Sequence, residues 1–314
     1  MAATSLCVKT HTTGNTTNLI TPPTHEMSFY FSTPKNKSIR LQINMETRNL
    51  RLLIQLFAEN AFPYDQGYHH NLQGFIYRLI KRTGYNDLHD REGCKFFSFS
   101  NIIPPTRTTQ SGSMRSLVVA SPNKNLIETM QREVETLEGT VIKIGRMSFR
   151  LEDSRLFDMR IPEGFQDCNL ISGTPIIVRI QKHRLPEYGI TPTRNYDYVY
   201  WRKEYTPTAL IKQLEENLIK KYAEYYNAEI EPPPIFENLR FKKQVAIPLQ
   251  MNRKKTTIIG TLWEFNFKPL NGLKRHILQF GLDAGFGEMN SLGFGFMNLI
   301  DERIRTDSSN LSVS

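Results

Sequence analysis

"SLVVASPNKNLIETMQREVETLEGTVIKIGRMSFRLE" runs from Ser116 to Glu152. It reads as strand, helix, strand. "SLVVAS" is a short apolar run with two β-branched valines, which suits a strand. Asn123 is placed to cap a helix, because its side-chain oxygen can accept from an otherwise orphaned amide. Behind it, Leu126, Ile127, Met130, Val134 and Leu137 fall on one helical face. "TVIKIGRMSFRLE" (140–152) returns as a strand. Upstream, "NLRLLIQLFAEN" (49–60) is a near-continuous apolar run, as a buried strand requires. "PYDQGYHHNLQGFIYRLIKRTG" (63–84) then sets Leu72, Phe75, Ile76, Leu79 and Ile80 at helical spacing, with Gly84 as a natural stop. "CKFFSFSNI" (94–102) alternates Phe97 and Phe99 with polar neighbours and predicts a further strand.

The order is strand, helix, strand, strand, helix, strand, which is the ferredoxin-like arrangement and the scaffold of RNA-recognition motifs. After Pro162 it starts again. "GTPIIVRIQK" (173–182) reads as a strand. Thr206 and Pro207 open a long helix, cap then proline, that "PPP" at 232–234 closes off. "RFKKQVAIPLQ" (240–250) and "KTTIIGTLWEFNF" (255–267) are alternating strands. "LNGLKRHILQFGLDAG" (270–285) predicts a shorter helix and "FGFMNLI" (294–300) a last strand. The expected fold is α+β, two tandem ferredoxin-like domains over 45–162 and 163–302. Residues 1–44 are Thr- and Asn-rich without sustained period and read as disorder or an extension ahead of Met45. Residues 303–314 read as a flexible tail.

The chain has 314 residues, 40 Lys+Arg against 31 Asp+Glu, and a formal charge of +9. With 11% aromatics, that balance suits a polyanionic partner. No apolar run approaches the roughly 18–20 residues of a membrane span. Cys7, Cys94 and Cys168 form no CxxC pair and no even framework, so a disulfide scaffold or structural zinc is not expected, and a reducing cytosol fits.

"GFGEMNSLGFG" (285–295) pairs glycines at both ends. Its spacing and late position exclude a Rossmann fingerprint, and no G-x4-GK[ST] occurs anywhere. Two readings remain for Gly285, Gly287, Gly293 and Gly295: a plain glycine-rich hairpin, or an open backbone close to an anion, helped by Lys274 and Arg275. Among titratable residues, Tyr77 lies on the first helix, His89 in the loop after it and Lys95 at the next strand. Such a set can cut RNA without a metal: one group takes the 2′-hydroxyl proton, another protonates the leaving 5′-oxygen, and a cation steadies the phosphorane. Equally, a loop histidine is an ordinary surface residue and a helical tyrosine an ordinary core one. His69 and His70 are neighbours and do not face the same way, Asp87 and Asp90 read as loop polarity, and no metal or other cofactor is expected. Basic and aromatic residues mix around Arg202 and Lys203, after Tyr196, Tyr198, Tyr200 and Trp201, and at Lys242 and Lys243. That mixture suits base stacking with phosphate contact, or simply strands with one buried face.

"GFGEMNSLGFG" closely resembles the C-terminal glycine-rich signature of the CRISPR-associated repeat-processing endoribonucleases, the sixth Cas family. "RLLIQLFAEN" and "PYDQGYHHNLQGFIYRLI" resemble the start of its archaeal members, so the resemblance spans roughly Arg51 to Ile300. It implies two ferredoxin-like domains and cleavage of the CRISPR precursor RNA within each repeat. The implied reaction is a metal-independent transesterification leaving a 5′-hydroxyl and a 2′,3′-cyclic phosphate. It also implies a catalytic Tyr in "LQGFIY", Tyr77; a His in "DLHD", His89; and a Lys in "CKFFSF", Lys95. The alternative is a non-cleaving RNA-binding subunit that holds guide RNA among other CRISPR effector subunits. An unrelated tandem RNA-recognition protein fits less well, since no RNP-type strand is present.

Overall fold

The computed structural model describes residues 26–31, 39–44, 49–64, 67–163, 167–192, 195–231, 234–251 and 254–300. Residues 1–48 form one unit and 49–314 another. In the first, Glu26–Phe31 and Ile39–Asn44 pair antiparallel, Glu26 opposite Asn44. The remainder of the 1–44 reading, and the 303–314 tail, lie outside the described residues.

The larger unit holds two antiparallel sheets of the same plan. The first is built from β1 (Leu50–Ala58), α1 (His69–Ile80), β2 (Ser98–Phe99), β3 (Ser113–Ala120), α2 (Lys124–Thr136), β4 (Val141–Ile144) and β5 (Met147–Asp158). Its strands run β2-β3-β1-β5-β4. Central β1 faces β3 on one side, Ile54 opposite Leu117, and β5 on the other, Ile54 opposite Ser154. Leu52, Ile54 and Leu56 of β1 are fully buried, as the unbroken apolar run anticipates. They pack under α1 through Leu72, Phe75 and Ile76, and under α2 through Leu126, Ile127 and Met130. Asn123 caps α2 by accepting from the Leu126 amide at 3.1 Å.

The second sheet uses β6 (Cys168–Ser172), then a ribbon of β7 (Arg179–Gln181) with β8 (Tyr198–Tyr200), then α3 (Pro207–Tyr226), β9 (Asn238–Met251), β10 (Lys254–Phe267), α4 (Gly272–Ala284) and β11 (Met297–Leu299). The sheet order is β9-β10-β6-β11. In both sheets the third strand lies between the second and the first, and the last pairs with the first. This is the ferredoxin-like topology twice over.

Three strands differ from expectation. "TVIKIGRMSFRLE" is a hairpin, because Gly145 takes φ 62 and returns the chain so that Ile144 faces Met147. The leading strand of the second sheet is Cys168–Ser172, while Ile176 and Ile177 beyond it make only isolated bridges to Thr261 and Glu288. "CKFFSFSNI" keeps only Ser98–Phe99 as strand, because Phe96 takes a left-handed φ of 51. That turn sends Phe96 into the second core and Phe97 into the first.

The two halves are pinned together. Arg51 on β1 is fully buried, donates to Leu282 O at 2.7 Å and Met297 O at 2.9 Å, and lies 4.8 Å over the Phe296 ring.

Candidate active site

Three segments bring Tyr77, His89 and Lys95 together. Tyr77 lies on α1, beside the buried stripe that fixes the helix, and is itself half-buried. After α1 the chain passes through a run of turns that includes Asn86–Leu88, anchored by buried Leu88. His89 follows directly. Its ring meets Tyr77 edge to face, centroids 4.9 Å apart. Asp90 Oδ1 sits 2.6 Å from His89 Nδ1, so the carboxylate holds a proton on that nitrogen and leaves Nε2 for chemistry. Lys95 Nζ donates to the His89 carbonyl at 3.1 Å, tying the strand segment to the loop. The left-handed Phe96 next door locks that segment between the two cores.

Burial raises the Tyr77 phenol above its ordinary value, with the Ser291 side chain acting the other way. The Lys95 ammonium is lowered, first by desolvation and then by Arg91, with Asp90 acting the other way. A cavity of about 360 Å³ opens beside Lys95, with Tyr85 and Arg91 from the first half and Glu224 and Tyr225 from the second on its walls.

His69 and His70 point apart: His69 is buried and His70 exposed. His69 stacks between Tyr68 and Phe294 at 4.5 Å from each, and burial lowers its pKa to about 4. It is therefore neutral near pH 7, and its Nδ1 donates to Leu292 O at 3.0 Å.

The glycine-rich segment is not an open backbone. Gly285, Gly287, Gly293 and Gly295 are all buried. The Gly285 amide donates to Gly281 O at 2.8 Å, Gly293 to Asn290 O at 2.9 Å and Gly295 to Pro175 O at 2.9 Å. At all four a side chain would clash, most closely at Gly295 and Gly293. A Cβ on Gly295, at φ 66, would sit 1.9 Å from Phe286 O, and one on Gly293, at φ 86, 2.4 Å from the Phe99 ring. The glycines thus let the chain close on itself and on the first half, and the amides of Gly285, Gly293 and Gly295 are spent inside.

Of the expected phosphate partners, Lys274 is buried and donates to Glu237 at 3.1 Å, while Arg275 is half-buried near Cys168. Arg202, Lys203, Lys242 and Lys243 are exposed. The Lys203 amide donates to Gln244 Oε1 at 2.8 Å, which brings the two basic stretches side by side, and Lys242 also pairs with Glu264 at 2.7 Å. Tyr196 is exposed, but Trp201 is core and donates to Thr206 O at 3.0 Å.

Two contributors escaped the sequence reading. Lys221 sits fully buried on α3 and donates to Gly285 O at 2.6 Å, Gly287 O at 3.0 Å and Asn290 Oδ1 at 3.0 Å. A lysine three residues after Leu218, within the apolar stripe, was the available signal. The other is the contact of the Asn290–Leu292 turn with α1, which nothing in the glycine-rich motif announces. Among the described residues no group of three or more His, Cys, Asp and Glu is gathered as a metal site, and no helix is long and apolar enough to cross a membrane.

The model of the C-terminal region of the CRISPR-associated protein Cas6 matches residues 162–299. A CRISPR-associated endoribonuclease Cas6 of Haloferax mediterranei is 29% identical over 259 residues, which is 81% of this chain and 94% of that protein. A second, from Methanocaldococcus jannaschii, is 28% identical over 262 residues, 80% of this chain and all of its own. Among solved structures, a CRISPR-associated protein Cas6 superposes with a TM-score of 0.58 at 21% identity, covering 80% of this chain and 99% of that one. A RAMP protein described as binding different RNA substrates gives 0.61 at 20% identity, over 80% of this chain and all of its own. These structural likenesses carry the fold, and the sequence matches carry the resemblance: over about four-fifths of its length the chain is similar to Cas6 endoribonucleases.

Proposed function

We propose that this protein is an endoribonuclease that binds CRISPR precursor RNA and cuts it within each repeat, without a metal ion, in a reducing cytoplasm. The observation that carries the reading is the convergence of Tyr77, His89 and Lys95 from three separate segments. The named activity of the H. mediterranei and M. jannaschii relatives supports it.

The reaction follows from the chemistry of those groups. His89 Nε2 takes the proton of the 2′-hydroxyl. The freed oxygen attacks the adjacent phosphorus, forming the O2′–P bond. The P–O5′ bond breaks, and the Tyr77 phenol gives its proton to the departing 5′-oxygen. Burial keeps that phenol protonated near neutral pH, which suits it to the acid role. The Lys95 ammonium offsets charge on the phosphorane. The products are a 5′-hydroxyl and a 2′,3′-cyclic phosphate, and solvent carries the proton from His89 back to Tyr77. Exposed Arg202, Lys203, Lys242 and Lys243 hold the RNA backbone, and the cavity beside Lys95 gives room to a neighbouring nucleotide.

Incubating the protein with repeat RNA in EDTA tests the reading. A cyclic-phosphate product is expected from the wild type. His89→Ala is expected to lose on the order of 10²–10⁴ in rate while binding RNA as before. Undiminished cutting by His89→Ala removes His89 from the mechanism, and a gel shift without any product favours a non-cleaving guide-RNA subunit.

A further inference from the structure

The glycine-rich segment reaches α1 from the other half of the molecule. His69, Gln73 and Tyr77 recur every four residues and so form one stripe along the helix. Each meets the Asn290–Leu292 turn. His69 Nδ1 donates to Leu292 O at 3.0 Å, Gln73 Nε2 donates to Ser291 O at 2.9 Å, and one turn further on the Ser291 side chain lies beside the Tyr77 phenol and acts to lower its pKa. The helix that carries Tyr77 is thereby bonded at two successive turns, just ahead of Tyr77, to one short piece of the second half.

That piece is itself held from every side. It is entered through left-handed Met289, φ 61, and left through left-handed Gly293, φ 86. Asn290 Nδ2 donates to Phe286 O and to Phe294 O, each at 3.0 Å, closing the loop across its own neck. Asn290 Oδ1 accepts from buried Lys221 at 3.0 Å, and the same ammonium grips the carbonyls of Gly285 and Gly287. A hydroxyl mounted on such a turn has a fixed position relative to α1.

We propose that Ser291 is a positioning residue for Tyr77, and that the glycine-rich loop serves the reaction by fixing the direction of the phenol O–H rather than by touching phosphate through its glycines. The proposal rests on the reading of Tyr77 as part of the cleavage site. Ser291 touches no reacting atom; it acts by denying the phenol other rotamers of its hydroxyl. The substitution Ser291→Thr keeps a hydroxyl at this position, and Ser291→Ala removes it with little change in volume.

The test compares wild type, Ser291→Ala and Ser291→Thr in single-turnover cutting of repeat RNA, beside the dissociation constant for the same RNA. Ser291→Ala is expected to slow cutting by about 10- to 100-fold with RNA affinity unchanged within about twofold, and Ser291→Thr to recover most of the rate. Equal rates in Ser291→Ala and wild type overturn the proposal. So does a rate loss matched by an equal loss of RNA affinity, which marks a substrate contact instead. The ¹³Cζ resonance of Tyr77, assigned by its disappearance in Tyr77→Phe, reads the bond without RNA. It is expected to move in Ser291→Ala and to stay close to wild type in Ser291→Thr; an unmoved resonance in Ser291→Ala also overturns the proposal. A wild type that binds repeat RNA without cutting defeats the cleavage reading, and the Tyr77 resonance then still decides whether Ser291 holds the phenol.

Discussion

Tyr77 has two separable parts, a ring and a hydroxyl. The ring meets His89 at 4.9 Å and Phe97 at 5.9 Å, both edge to face, and is part of how the His89 loop stays in place. The hydroxyl faces Ser291 and is the proton donor of the proposed reaction. Tyr77→Phe separates them. It keeps the ring contacts and removes one half-buried hydroxyl, so the loss of stability is expected at no more than about 1.5 kcal/mol by urea unfolding. Cutting is expected to fall by about 10²–10⁴ in a single-turnover assay with RNA affinity unchanged. A variant that cuts within about threefold of wild type removes the phenol from the proton path. At this scale the sequence was informative about residue type and silent about company. Tyr77, His89 and Lys95 are legible because they stand within one short run of chain, and their chemistry suggests a shared task. Ser291 is not, because its contact with α1 joins positions such as Gln73 and Ser291 that are 218 residues apart. Lys274 illustrates the opposite error: a lysine beside the glycine loop invites a phosphate contact, yet it is buried against Glu237.

Elements whose cause is local were readable, and those whose cause is a partner were not. α2 follows from an Asn cap and an apolar stripe, and both operate as the spacing implies. The strand Cys168–Ser172 has no such signature; it exists because Leu170 finds Phe265 on one side and Leu299 on the other. "TPIIVRI" looks the better strand by composition, but its Ile176 and Ile177 make only isolated bridges to Thr261 and Glu288. The glycine loop lies between these cases. Its residues announce a special backbone, while the need for that backbone comes from Phe286, Phe99 and Lys221 elsewhere. Gly295→Ala tests the point. The new methyl must displace the Phe286 carbonyl and adopt a left-handed φ, so a loss of at least about 3 kcal/mol is expected in urea unfolding. A loss below about 1 kcal/mol would mean that the loop opens easily and that the glycines serve something other than close packing.

Across the whole molecule, the halves meet around a buried charge pair. Arg51 enters from β1 and Asp283 from the end of α4, and both side chains are almost completely shielded from solvent. Gln279 Nε2 donates to one carboxyl oxygen of Asp283 at 3.0 Å, while the other oxygen is buried without a hydrogen-bond partner. Desolvation dominates: it raises the Asp283 pKa from 3.8 to about 7 and lowers Arg51 to about 10, with the attraction between the two acting against both shifts. The sign for stability follows from proton counting. In the unfolded chain the carboxyl releases its proton near pH 4, and in the folded one near pH 7, so over that interval the native state holds the extra proton. The stabilising contribution is therefore complete below pH 4 and is lost as pH rises through 7. His69 and His276 shift the other way, both down to about 4, and would mask the effect in the wild type alone. Asp283→Asn cannot ionise, and the histidines cancel when the two proteins are compared. The stability of the wild type relative to Asp283→Asn is expected to fall on the order of a few kcal/mol between pH 4 and pH 8, measured as the difference in urea unfolding free energy at each pH. A difference that stays flat over that range would mean that Asp283 is already ionised at pH 4, paired with Arg51 strongly enough to overcome its burial. Because Tyr77 belongs to one half and Ser291 to the other, the same junction sets the geometry of the proposed site. Single-turnover cutting by Asp283→Asn should therefore follow its stability, falling with it only where the native population falls.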